Sequence, residues 1–267
     1  MFFRLTSFEL GLMLFGVVVG TTCLGLLLGR RVRHHSETLR EPLAAMHTAL
    51  LGLVGLILAF GLALALGRYE TRRTALVDES NTIGTTYLRA QTLAEPERTP
   101  SLETLRRYTD NSIRLADTVP DSDAQREAVS AGEELQRRLW ALAGRSLDEA
   151  PQDTAPRLYV ESLNEMIDQR TVRTATLNNR VPGAVLVLEI VGAALALAML
   201  ATYLALVGRG VYSVVLAAIL VSMLLLVTFD LDRPTRGFIE VPDTALRDLR
   251  EEMAQPPAAK APTPVPP

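Results

Sequence analysis

The chain has 267 residues, a formal net charge of −3 and 48% hydrophobic residues. Those averages look globular, but the apolar residues are gathered in four blocks with the charges between them. The single cysteine, Cys23, excludes a disulfide framework and a cysteine-rich metal site. No basic stripe with interleaved aromatics is present, so nucleic acid is not an expected partner.

A bilayer core of about 30 Å is crossed by about 20 apolar residues in a helix. Phe8–Leu28, Ala44–Leu66, Ala184–Val207 and Val211–Phe229 all reach that length, so four transmembrane helices are predicted. The first run is too long for a cleaved signal peptide and ends in "GRRVRHH" rather than at a small-residue cleavage site. Gly16 and Gly20, and Gly25 and Gly29, put small residues four apart on it. That spacing lets helices approach closely in lipid, within one subunit or between subunits. Residues 1–67 are expected to form a transmembrane hairpin, joined by the basic loop Gly29–Leu43.

Between Pro42 and Pro96 no helix breaker stronger than glycine occurs. Span two and the charged stretch after it are therefore predicted as one helix of roughly 50 residues, about 75 Å long. Leu56, Phe60 and Leu64 recur at i, i+4 and i+8. Such a stripe faces lipid, faces a bundle core, or forms an apolar neck that gates by dewetting. Arg68, Arg72 and Arg73 follow, as headgroup anchors that snorkel or as a basic pore mouth. Then come neutral hydrogen-bonders, Ser80, Asn81, Thr82, Thr85 and Thr86, with Asn81 and Thr85 as candidate vestibule residues. An apolar neck, a positive mouth and a weakly charged vestibule suit an anion path.

Residues 68–182 read as a helical domain. Leu76, Ile83 and Leu88 fall at helical spacing, Pro96 and Pro100 break the chain, and Ser101 is the expected N-cap of the next helix. "DSDA" opens another, with Leu135, Leu139, Trp140 and Leu142 on one face, and "PRLYVESLNEMIDQRTVRTATLNNR" makes a fourth. Strand and hairpin signals are missing, so the fold class is all-α.

Residues 183–229 form the second transmembrane hairpin. Glu189 lies about two turns into span three, where a carboxylate is costly. It either pairs, with Arg68 the nearest choice, or binds an ion. Asp230 and Asp232 form a polar turn that ends span four, or weak ligands for a hard cation. Residues 230–253 read as a polar segment and 254–267 as a disordered proline-rich tail. Counting arginines near the span ends favours the helical domain and both termini in the cytoplasm, while the arginine density of the Gly29–Leu43 loop argues the other way; the cytoplasmic placement is the expectation.

No phosphate-cradling glycine loop, nucleophile elbow or metalloprotease motif is present. An enzyme is not expected, and no cofactor is expected. Four spans with so few polar residues cannot enclose a wet path, so any conduction requires several copies around it.

Three stretches carry a resemblance: "LLGLVGLILAF" (Leu50–Phe60), "RYETRRTALVDESNTIGTTYLRAQTL" (Arg68–Leu93) and "DLDRPTRGFIEV" (Asp230–Val241). With the four-span layout they resemble the bacterial bestrophin-like membrane proteins and, more distantly, the bestrophins, which are pentameric anion channels. The resemblance implies a homo-oligomer, a pentamer, in the bacterial inner membrane, passing small anions along span two. It also implies Leu56, Phe60 and Leu64 as the neck. Asp230–Gly237 loosely resembles the calcium-binding region of animal bestrophins without its dense acidic cluster, so calcium gating is not implied. The alternative is a membrane-anchored helical sensor or scaffold with no conductance. The face at Asn81–Thr86 separates the two: open to water in a pore lining, packed in a bundle core.

Overall fold

The computed structural model describes residues 7–32, 36–208, 211–233 and 237–259. The protein is all-α. Its helices are α1 (Ser7–Val32), α2 (Ser36–Ala90), α3 (Arg98–Ala116), α4 (Asp123–Glu149), α5 (Thr154–Asn178), α6 (Gly183–Val207), α7 (Val211–Leu231) and α8 (Thr244–Glu252). Four stretches, within Phe8–Arg31, Glu41–Ala90, Thr154–Val207 and Tyr212–Leu231, are long and apolar enough to cross a membrane. His34 and His35, in the basic loop, lie outside the described residues.

The chain divides into two compact units, Met1–Tyr69 with Arg180–Glu240 and Glu70–Asn179 with Val241–Pro267. The first unit holds α1, the apolar part of α2, α6 and α7. Leu10 and Leu14, Val54, Leu58 and Ala65, Leu186, Ala193 and Ala196, and Leu225 and Phe229 form its shared core. The α1–α6 contact is close because glycine permits it. A Cβ on Gly25 would collide with the Ala198 carbonyl oxygen, and one on Gly29 with Thr202. The Thr202 hydroxyl donates to Gly25 O at 3.1 Å across this contact. A Cβ on Gly16 or Gly20 would meet nothing of another helix within 4 Å among the described residues. The two small-residue pairs of α1 therefore differ: the second packs inside the subunit, the first does not.

Helix α2 starts six residues before Pro42 rather than after it. Proline lacks an N–H and its ring crowds the carbonyl four residues back. At Pro42 the helix is only in its second turn, so the cost stays near its start.

The second unit holds the polar part of α2 with α3, α4, α5 and α8. Ile83, Tyr87, Leu105, Tyr108, Leu139, Tyr159, Leu163, Met166, Leu246 and Leu249 are buried together. Ser122 caps α4, its hydroxyl accepting from Gln125 N at 3.1 Å. Helix α3 begins at Arg98, so Ser101 is a buried helical residue and not the N-cap. Pro100 sits in the first turn, where a missing N–H costs nothing. Two expected core residues face outward: Leu88 is 58% exposed and Trp140 47%. Leu88 follows Ile83 by five residues, about 140° round a helix, and Trp140 lies about 100° from buried Leu139.

Helix α8 is amphipathic. Leu246 and Leu249 enter the core, and Ser80 Oγ donates to Ala245 O at 2.8 Å. Beyond it the chain is held by Tyr87 and Arg106 on Met253 O, and by Gln91 and Arg98 on Ala259.

Candidate functional site

Helix α2 carries every candidate pore residue, and its two faces differ. Val54, Leu58, Gly61 and Ala65 turn into the first unit. Leu56, Phe60 and Leu64 turn away and are 54%, 62% and 46% exposed. An α-helix places these two sets on different sides because i, i+4, i+8 positions share one stripe. Among the described residues the neck candidates therefore have no partner wall within their own chain.

On the inward face Gly61 meets Glu189 of α6. Glu189 is fully buried, and neither carboxyl oxygen has a hydrogen-bond partner among the described residues. A Cβ built on Gly61 would fall inside that carboxyl group. Pairing with Arg68 is not what the structure contains. Arg68 is half-buried, and the carboxyl group packs on bare backbone one residue from Phe60 instead.

The three basic candidates also part company. Arg72 is 2% exposed; its guanidinium donates to Asn179 O at 2.9 Å and Thr176 O at 3.4 Å, satisfying carbonyls at the end of α5. It is thus a structural cap rather than a residue at an open mouth. Arg73 is exposed and lies 3.6 Å from Glu70. Such a surface pair is worth little and leaves the guanidinium available.

Asn81 and Thr85 are exposed, whereas Ser80 and Thr86 turn inward. Thr86 Oγ1 donates to Ser162 O at 3.0 Å. The face expected to separate pore from bundle core is therefore split between the two. Asn81 and Thr85 line an open groove of about 710 Å³ whose other wall is α8, bearing Asp248, Glu251 and Glu252. Those acids were missed as part of the site. The 3–4 spacing of Leu246, Leu249 and Met253 is the signal that could have found them, since it predicts a packed helix with a charged outer face.

Beneath this face lies a network that sequence reading also missed. Glu79 is completely buried, with Oε1 accepting from Arg170 Nη1 at 3.3 Å and Ser112 Oγ at 3.1 Å, while Oε2 takes Arg173 Nη1. Arg173 Nη2 also donates to Ser112 O at 3.0 Å, and Arg170 lies 5.6 Å from the Tyr108 ring centre. Burial first, then Glu79, holds the Tyr108 phenol above its ordinary range. Arg170 and Arg173 read as membrane-flanking charges in the sequence; they are core residues because Glu79, some 90 positions earlier, meets them only on folding.

Asp230 ends α7 and is buried. Its Oδ2 accepts from Phe238 N at 2.7 Å and Ile239 N at 2.9 Å. Asp232 Oδ1 accepts from Val181 N at 2.9 Å. Both carboxylates thus order backbone, and among the described residues no group of three or more His, Cys, Asp or Glu gathers as metal ligands.

The family model of the bestrophin-like domain matches residues 15–246. Solved structures share the fold at low identity. A bacterial bestrophin homolog from Klebsiella pneumoniae is 16% identical, with TM-score 0.61, covering 90% of this chain and 100% of that one. A point variant of that homolog gives 16% and TM-score 0.64, covering 88% and 97%. A further membrane-protein variant gives 15% and TM-score 0.66, covering 92% and 99%. No curated protein matches the chain.

Proposed function

We propose an ion-channel role for this chain, which belongs to the bestrophin-like family. In this reading several copies, five by analogy with bestrophins, surround a path lined by α2 in a bacterial inner membrane, with the helical unit and both termini cytoplasmic. The observation that carries it is the outward stripe Leu56, Phe60 and Leu64, left without a wall by the described residues of its own chain and followed along the same helix by open Asn81 and Thr85. A ring of such helices supplies an apolar constriction and then a wet vestibule.

The sign of the ion follows from the charges near the path. Anion conduction rests on Arg68 and Arg73, since Arg72 is withdrawn into the helical unit. A second reading, cation preference, rests on Asp248, Glu251 and Glu252, which stand across the groove from Asn81 and Thr85. Rings of acidic side chains favour cations, and rings of basic ones anions.

Bilayer recordings under a salt gradient test both points. Phe60→Ala is expected to raise conductance several-fold by widening the apolar neck. The reversal potential then assigns the sign, and Glu251→Gln with Glu252→Gln shifts it toward anions if the groove faces the path. Silence of both the wild-type chain and Phe60→Ala, after reconstitution shown to be complete, contradicts the channel reading and leaves the non-conducting sensor or scaffold.

A further inference from the structure

Helix α7 carries an exposed stripe, Leu216, Leu220, Met223 and Val227, at i, i+4, i+7 and i+11. Asp230, three residues past Val227, falls on the same stripe, yet it is only 2% exposed. The chain beyond the helix folds back over it. Asp230 Oδ2 accepts from both Phe238 N and Ile239 N. Gly237 makes room for this return, because a Cβ there would come within 2.8 Å of the same oxygen. The carboxylate thus turns into the fold-back while the Phe238 ring turns out, 76% exposed, beside exposed Ile239. All of these residues belong to the first unit.

The span fixes the level of this apolar pair. Tyr212–Leu231 has 20 residues. That is about 30 Å of helix, the thickness of the hydrocarbon core. Asp230 therefore stands at the edge of the core. The reach of one carboxyl side chain, one hydrogen bond and one N–Cα bond keeps the Phe238 Cα within about 7 Å of the Asp230 Cα. The headgroup region is about 5–8 Å deep on each side. Phe238 and Ile239 therefore lie in the headgroup region, over the outward stripe of α7, and not in bulk water.

We propose that Phe238 and Ile239 form a lipid-docking tip that enters the boundary between headgroups and acyl chains of the bilayer that α7 crosses. That boundary accommodates apolar and aromatic side chains of peripheral segments. Asp230 has two roles in it. Its hydrogen bonds order the turn before lipid is met, so little ordering cost remains. They also keep a carboxylate paired where an unpaired one beside lipid would be costly. The tip holds the end of α7 at one depth. This rests on α7 crossing the bilayer and not on conductance.

A single-tryptophan form of the full-length protein in nanodiscs tests it. Trp140→Phe removes the chain's one tryptophan, and Phe238→Trp places an indole at the tip. Its fluorescence is expected to be quenched most by phosphatidylcholine brominated near the headgroup end of the acyl chains. Quenching by deeply placed bromines and by aqueous iodide is expected to be several-fold weaker. Asp230→Ala in this background is expected to free the turn, so that iodide quenching rises and bromolipid quenching falls. Strong iodide quenching with none from brominated lipid places the ring in water and overturns the proposal. Quenching by neither places the ring against a second copy, and that also overturns it. Quenching unchanged by Asp230→Ala overturns the role given to the carboxylate.

Discussion

Glu79→Ala is expected to destabilise the helical unit by about 3–5 kcal/mol, the range for removing one partner of a buried ion pair. The cost does not come from losing an attraction alone. It comes from leaving Arg170 and Arg173, 5% and 2% exposed, without their shared counter-ion. Ser112 and the Ala128 carbonyl still accept from these guanidinium groups, but neither carries charge. Glu79→Gln keeps an acceptor and loses the charge, so its cost is expected between wild type and Glu79→Ala. Replacing the whole triad, Glu79→Leu with Arg170→Met and Arg173→Met, is expected to recover most of the loss, because apolar residues of similar volume replace such triads well. Denaturant unfolding followed by Trp140 fluorescence measures all three. A midpoint unchanged in Glu79→Ala means that the triad does not hold the unit together.

The second large effect is expected at the α2–α6 contact. Gly61→Val forces branched carbons into the space held by the Glu189 carboxyl group, and overpacking of this kind costs about 1–3 kcal/mol. Even Gly61→Ala puts its Cβ there. The helices must part or Glu189 must leave, and a buried carboxyl has no hydrogen-bond partner to retreat to among the described residues. Glu189→Ala opens the space, so the double variant Gly61→Val with Glu189→Ala is expected to be more stable than Gly61→Val alone. That recovery is a coupling in the sense of a double-mutant cycle. Thermal unfolding of the four proteins in one lipid environment gives it. Additive losses would mean that the two positions do not touch.

The fold class and the four apolar helices were legible because both rest on local properties: run length, periodicity and the absence of strand signals. The continuous α2 was legible for the same reason, apart from its start, where Pro42 was given more breaking power than a second-turn proline has. That Leu56, Phe60 and Leu64 share one stripe followed from their spacing; that the stripe turns outward did not, because the same spacing suits a bundle core. What escaped the sequence depends on distant partners. Arg72 looks like a headgroup anchor until the end of α5 is placed against it. Glu79 looks like one more surface acid on a charged rod until Arg170 and Arg173 surround it. Glu189 was recognised as costly, but its neighbour is a glycine, and a glycine gives no hint of what fills the space above it. The α8 acids escaped because a nine-residue amphipathic helix resembled a polar tail.

The central claim is that α2 from several copies encloses a path. The oligomeric mass of the purified protein in nanodiscs, by native mass spectrometry, tests it most directly. A closed ring of four or more copies, five by family analogy, is expected. A monomer or dimer that persists across lipids and detergents would contradict the claim, because too few α2 helices would be present to wall a path.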